Sequence, residues 1–471
     1  MLGKMANIFK IPDLRRKIFI TLALIGVYRI GTHIPTPFID SQAVAEFWKQ
    51  YTTGQRGILS MVDMFSGGGF SQMTIFALGI MPYISASIIL QLLMVVWPRL
   101  EKIAKEGAAG AKKINQYTRY GTVLLSGFQA FGLSLFLHRN GLSAIPDHRL
   151  VFTFITILAM TTGTAFIMWL GEKISEFGIG NGISLIIAAG IMAQYPVAVI
   201  LGISQAQAGI LPPIWLVIIL VMCVASSWWI IKFQEGSRKI PIQHAKRVVG
   251  RRVMSGGTNY LPLKINTAGV IPVIFSSSIL MFPSIIFSWF GGGGGGGGEG
   301  FFSKLGRFFD ISSQYNLYTA FDVQRGGIFL LLKVVNMYSF LYILLTMFFC
   351  YFYTAITFNP IDTAENLKKY GAFVPGRRPG KNTADYIDFV LTRITLVGAV
   401  FLVCVAMLPQ IISVAFNVPW QLSDLVGGTG LIIVVGVLLD LMKQIESQLL
   451  MRHYDGFKIR ARTARWSVKA R

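Results

Sequence analysis

The sequence predicts an all-α polytopic membrane protein with ten transmembrane helices, and three observations carry that prediction. Of its 471 residues, 53% are hydrophobic and 14% charged, where soluble domains carry about a quarter charged residues. The apolar residues gather in blocks near the ~20 residues that a helix needs to cross a hydrocarbon core. The basic residues concentrate on alternate connections between those blocks.

The blocks fall at 18–34, 74–97, 119–137, 151–170, 182–201, 213–231, 267–290, 328–352, 389–409 and 429–450. The first follows Arg15, Arg16 and Lys17, a layout shared with signal peptides. The next residues, "GTHIPTPFID", offer no small-residue cleavage site, so the block is expected to stay as a span. The second is preceded by "MVDMFSGGG", a stub too short to cross and too apolar for water, ending in Gly67, Gly68 and Gly69. An uninterrupted apolar helix is expected to begin after those glycines. Trp97-Pro98 closes it as an aromatic anchor followed by a helix breaker.

Ten spans leave both termini on one side. Of the 43 Lys and Arg residues, 33 lie on the side of the termini and seven on the other. Positive residues favour the cytoplasm, so both termini are expected there. Spans 1–5 form one half and spans 6–10 the other, with the basic loop 232–266 following span 6; an odd number of spans in each half gives the halves opposite orientation and allows an inverted repeat. The expected division is 1–201 for the N-terminal half with spans 1–5, then 202–266 for an external connection, span 6 and the loop. Residues 267–450 hold spans 7–10, and 451–471 form a basic tail. The glycine run 291–298 is expected to be a flexible external connector.

Enzymatic chemistry is not signalled. There is no HExxH, GxSxG or Walker lysine motif, no catalytic residue is assigned, and no cofactor is expected. The five histidines form no ligand cluster, so no metal is expected. Cys223, Cys350 and Cys404 lie far apart inside apolar blocks, as helix-packing residues do. Arg29, Lys333, Arg393 and Asp440 are the ionisable residues within or beside spans. Snorkelling or a single interhelical pair is expected for each, rather than a proton relay. A secondary transporter, the rival from another class, would need a midplane site of ionisable groups. A structural membrane anchor for ribosomes is a third reading.

Four long strings narrow the field: "MFSGGGFSQMTIFALGIMPYISASIILQLL", "GIGNGISLIIAAGI", "AKRVVGRRV" with "LPLKINTAGVIPVIFSSSILMFP", and "FNPIDTAENLKKYGAFVPGRRPGKNT". They strongly resemble the bacterial SecY family, the channel subunit of the protein translocase, from the first span to the tenth. The glycine run and a longer arginine-rich tail depart from that pattern. The resemblance implies two pseudo-symmetric inverted halves around a central pore in the bacterial plasma (inner) membrane. It implies passive conduction of unfolded secretory polypeptides, with hydrophobic segments released sideways into lipid. The motor SecA with ATP, or a translating ribosome, would drive it, and signal sequences would enter it. Small membrane subunits resembling SecE and SecG would attach.

From the residues alone, the stub is either a movable stopper or a static re-entrant turn. The resemblance points to a plug at about 56–70, including Met61, Met64 and Phe65, hinged at Gly67, Gly68 and Gly69. A pore collar is implied at Ile80, Ile84, Ile183, Ile187, Ile274 and Ile433. Ile80 and Ile84, like Ile183 and Ile187, are four apart and share a helix face. An aliphatic collar disfavours water and ions by dewetting. A lateral gate is implied at Ser85, Ser87, Gln91, Gln129, Asn266 and Phe282, whose small and polar members make weak interhelical contacts; ordinary static helix packing fits the same composition. Docking of SecA or the ribosome is implied at Arg247, Arg251, Arg252, Arg377 and Arg378, where guanidinium groups can engage phosphates or carboxylates.

Overall fold

Pro12 sets the first turn of α1 (Pro12–Gly31), where its missing N–H costs nothing. Asp13 in that turn and Arg29 in the last complement the helix dipole. The computed structural model describes residues 11–54, 58–145, 147–209, 212–244, 247–249, 252–254, 258–290, 337–416, 418 and 420–469. Each of the ten apolar blocks contains a described helix. Among the described residues, seven helices are long and apolar enough to cross a membrane, and one bent pair makes an eighth. The other two are α1 and the shorter apolar stretch Ile271–Pro283. Residues 291–298 and Lys333 lie outside the described residues.

The chain divides into two compact units. The first comprises residues 1–197, 285–304 and 433–471. After α1 it holds α2 (Ser41–Gly54), α3 (Ile58–Ser66), α4 (Met81–Val96), α5 (Pro98–Lys105), α6 (Ala108–Arg139) and α7 (Arg149–Phe177). It also holds most of α8 (Gly182–Gln207). Pro98 breaks the chain between α4 and α5, which meet at 102°. Thr21 knits α1 to the short turn after α7: its hydroxyl accepts from Ile179 N at 3.1 Å and donates to Lys17 O at 2.9 Å. Leu14 and Ile179 pack there with Ile18, Leu441 and Ile445.

The second block differs from its expectation. Its helix starts at Met81, and residues 67–80 run as turns. Pro82 favours a helix start, and Gly79 takes φ +56° just before it. The turn residues find backbone partners elsewhere: Ile75 N donates to Ile34 O, and Thr74 N to Gly69 O. The α7 backbone crosses this segment so closely at Gly163 that a Cβ there would lie 2.0 Å from Ile75 O. Non-helical backbone at membrane depth is tolerated where protein buries it in this way.

The second unit comprises residues 198–284 and 305–432. It holds α9 (Ile214–Glu235), most of α10 (Ile271–Phe290), α11 (Met337–Thr357), α12 (Pro360–Lys369), α13 (Lys381–Phe416) and α14 (Trp420–Ser423). The remaining helix, α15 (Gly428–Lys469), continues from this unit into the first. Asn359 caps α12, its side chain accepting from Ile361 N and Asp362 N ahead of Pro360 at the first turn.

The basic loop 232–266 is not irregular. It forms β1 (Ser237–His244), β2 (Arg247–Val249), β3 (Arg252–Met254) and β4 (Thr258–Lys264). β1 pairs antiparallel with β4, placing Ile240 opposite Leu261, and with β5 (Ala372–Phe373), placing Gln243 opposite Phe373. Ile240, Leu263, Val374 and Ile387 form a buried cluster beneath the sheet. Strands β1 and β4 of one basic loop and β5 of the other therefore form one folded element seated on the start of α13, while β2 and β3 pair in a separate sheet.

Candidate channel plug, collar and docking surface

The stub is a helix, α3, and it is seated inside the first unit. Val62, Met64, Phe65 and Phe70 are all buried. It ends at Ser66 because Gly67 and Gly68 turn into the left-handed region, at φ +68° and +88°. The position of Gly67 also excludes a side chain, since a Cβ would lie 2.9 Å from Gly190 Cα. Two α3 side chains close the turn. Ser66 Oγ accepts from Phe70 N at 3.0 Å, and Asp63 Oδ1 accepts from Ser71 N at 2.7 Å. Burial raises the Asp63 carboxyl above its ordinary range, and hydrogen bonds from Ser71 and Phe70 pull it partly back.

The carbonyls at the end of α3 and in the hinge meet donors from two flanking helices. Tyr28 OH donates to Ser66 O at 3.1 Å, and Arg29 Nη1 to Gly67 O at 2.8 Å. Gln194 Nε2, on α8, donates to Asp63 O at 2.8 Å. Tyr28 also stacks on Phe76 at 6.1 Å, and Trp48 meets Phe70 edge-on at 5.9 Å. The structure thus places Met64, Phe65 and the three glycines in one packed assembly; Met61 belongs to α3. Tyr28, Asp63, Ser71 and Gln194 were not legible as members. Arg29 was visible as an ionisable residue in an apolar block, expected to snorkel or to make one interhelical pair, and it donates to Gly67 O just after α3.

Of the collar residues, Ile80, Ile84, Ile187 and Ile433 in the first unit are buried, and Ile183 is half-buried. Ile80 and Ile84 are joined by the first helical hydrogen bond of α4, Ile84 N to Ile80 O. Ile183 and Tyr83 line a cavity of about 820 Å³ with the paired Arg119 and Glu172, joined by two 2.7 Å bonds. Ile274, buried, belongs to the second unit.

The gate residues divide likewise. On α4, Gln91 Nε2 donates to Ser87 Oγ at 3.3 Å, and Ser85 is half-buried. Gln129 on α6 is buried. In the second unit Asn266 is held locally, donating to Gly269 O at 2.8 Å before α10, and Phe282 is half-buried. Ser276 and Ser277 bond back to carbonyls of their own helix.

Among the docking residues, Arg247 and Arg252 fall in β2 and β3, and Arg251 lies outside the described residues. Arg377 and Arg378 are exposed. Arg377 stacks on Tyr386 at 5.1 Å. The Arg378 carbonyl accepts from Thr383 Oγ1 at 2.9 Å, which fixes the backbone at its side chain's root.

The fold is that of a multi-spanning helical membrane protein with a short buried helix, α3, ending in a glycine turn. Residues 74–442 match the SecY family model. The chain is 43% identical over 446 residues to protein translocase subunit SecY of Vibrio cholerae serotype O1, covering 94% of each. The chain belongs to the SecY family. A solved protein-conducting channel shares its fold, with a TM-score of 0.61, 18% identity and 92% of each chain covered. So does a SecY structure whose plug domain is described as stabilising the closed state of the translocation channel and maintaining a membrane seal. There the TM-score is 0.59, with 18% identity and 92% of each chain covered.

Proposed function

We propose that this membrane channel subunit conducts unfolded secretory polypeptides passively and that α3 is its resting stopper. The observation carrying the proposal is the seating of α3: a short buried helix, a two-glycine left-handed hinge, and hydrogen bonds to neighbouring helices. Such a helix is stable in place yet joined to the rest by backbone that can re-fold at low cost. Ile80, Ile84, Ile183, Ile187, Ile274 and Ile433 serve as the aliphatic collar that excludes water around the path. The half-buried polar positions of α4 and the phenyl ring of Phe282 on α10 serve as the seam for sideways release, which cysteine crosslinking of Ser85 to Phe282 tests.

The exposed arginines of the folded loops dock the driving partner, SecA or the ribosome. Subunits resembling SecE and SecG complete the assembly in the inner membrane, with both termini cytoplasmic in keeping with the charge distribution. Site-specific photocrosslinking decides the central claim. A secretory chain stalled in transit is expected to crosslink to probes at Ile84 and Ile274, and absence of both crosslinks would remove the conducting path from these residues.

A further inference from the structure

The end of α3 poses a backbone problem whose solution is unusual. A helix leaves its last four carbonyls without intrahelical partners, and the last turn carries partial negative charge. Residues following the helix commonly satisfy these groups. Here the chain does so only in part: Gly68 N reaches Asp63 O at 3.0 Å, Gly67 N reaches Met64 O at 3.3 Å, and Gly69 N reaches Ser66 O at 3.4 Å. Ser66 Oγ, within α3, adds a bond to Asp63 O at 3.1 Å, and further donors come from other helices. Tyr28 and Arg29 of α1 donate to Ser66 O and Gly67 O, and Gln194 of α8 donates to Asp63 O. Arg29 adds a cation where the dipole of α3 is negative.

We propose that Tyr28, Arg29 and Gln194 are positioning residues that latch the plug, acting together as a C-terminal cap supplied from outside the helix. The inference rests on reading α3 as the plug, and it assigns the holding force to three side chains rather than to apolar burial alone. Two features favour a latch over passive packing. The bond of each donor at 3.1 Å or less ends on a backbone carbonyl of residues 63–67, with Gln194 Nε2 also reaching Asp63 Oδ2 at 3.5 Å, so the donors recognise chiefly the helix end and the turn after it. The donors flank the close approach of Gly67 to Gly190: a Cβ on Gly190 would lie 3.2 Å from Tyr28 OH and 3.3 Å from Gly67 Cα. Departure of α3 therefore breaks all three bonds at the point where the hinge turns.

The bonds differ in weight. Hydrogen bonds involving a charged group contribute roughly twice as much as neutral ones. Arg29→Gln should raise the unseated fraction about tenfold, and Tyr28→Phe or Gln194→Leu a few-fold each. Arg29→Lys, which keeps a donor and a cation, should recover most of the loss.

The test separates the latch from the stopper. Met64 is buried under the seated helix. In a protein whose native Cys223, Cys350 and Cys404 are replaced by alanine, Met64→Cys reports unseating through its rate of reaction with a soluble maleimide in reconstituted vesicles. Resting ion conductance of the same proteins reports sealing. Faster labelling in Arg29→Gln, reversed by Arg29→Lys, with a parallel rise in conductance, supports both readings. Faster and reversible labelling with unchanged conductance keeps the latch and removes the stopper. Unchanged labelling in Arg29→Gln, Tyr28→Phe and Gln194→Leu overturns the latch. Labelling that rises equally in Arg29→Gln and Arg29→Lys overturns it too, since only general loosening ignores the conservative replacement.

Discussion

Gly67 and Gly190 meet backbone to backbone: a Cβ on Gly67 would lie 2.9 Å from Gly190 Cα and 3.0 Å from Tyr28 OH. Gly67 also has φ +68°, a conformation that disfavours any L side chain. Gly67→Ala is therefore expected to unseat α3 on two separate grounds, strain and collision. Gly68 differs: φ is +88° but nothing lies within 4 Å of its Cβ position. Gly68→Ala should bring strain alone, about 1–2 kcal/mol. Resting conductance measured on both variants should rise more in Gly67→Ala, and equal effects would remove the contact with Gly190 from the account.

Asp63 makes the seat sensitive to pH. Burial is the larger influence on its carboxyl and raises it above its ordinary value. The seated state thus binds the proton more tightly than a released, hydrated one, and stability falls as pH rises wherever the seated state holds more protons. Seating is fully favoured below the ordinary carboxylate range and weakens as pH rises through the raised value. Asp63→Asn keeps an acceptor for Ser71 N and removes the cost of burying charge. Its resting conductance should be flat across that window, while the wild type leaks more at the upper end. A pH-independent wild type would refute the assignment.

Asp424 offers a second titration, in the connection ahead of α15. Burial pushes its carboxyl up to about 7. By the same sign, packing of this connection is strongest when Asp424 is neutral and weakens as pH approaches and passes about 7. Thermal unfolding in detergent should show a fall in Tm of the wild type from pH 5 to 8 that is reduced in Asp424→Asn. Parallel curves would show that another group titrates.

The collar can be tested by polarity. Replacing Ile84 and Ile274 together with Asn should remove the dewetting barrier and raise resting conductance at least several-fold. An unchanged single-channel record would count heavily against both positions.

The two neighbouring arginines predict different outcomes. Arg377 is engaged with the Tyr386 ring, while Arg378 projects from a backbone fixed through Thr383. Arg378→Glu should impair SecA-driven transport into vesicles while leaving insertion and the resting seal intact. A guanidinium's paired hydrogen bonds have no substitute in a carboxylate. Arg377→Glu imposes the same charge change and should act mainly through local packing, lowering transport less. Wild-type rates in Arg378→Glu would dismiss it as a docking residue.

Hydropathy made the helical blocks legible because lipid leaves a helix few ways to be anything else. It could not show that 67–80 is a chain of turns, since apolar composition does not distinguish a helix from turns buried in protein. The sheet in 232–266 was also missed. Its alternation of buried Ile240 and Ile242 with exposed neighbours is short, and Pro241 and Pro262 argue against strands. The break after the stub was readable, because three consecutive glycines disfavour a continuing helix, and Gly67 and Gly68 take left-handed φ there. The stub's partners were not: Gln194 lies 131 residues from Asp63, and nothing local marks one glutamine in an apolar helix.

The pairing of β1 with both β4 and β5 has a consequence for association. Two segments more than a hundred residues apart are already fixed in register, over a shared apolar cluster. Ordering flexible loops at an interface ordinarily consumes about 0.5–1.5 kcal/mol for each immobilised side chain, besides backbone freedom. Much of that entropy is lost here when the chain folds, before any encounter. A binding partner that meets Arg378 on this rigid platform can form its contacts without first assembling the surface. Its affinity should then depend mainly on the exposed charges and on salt, and little on the conformational freedom of the loops.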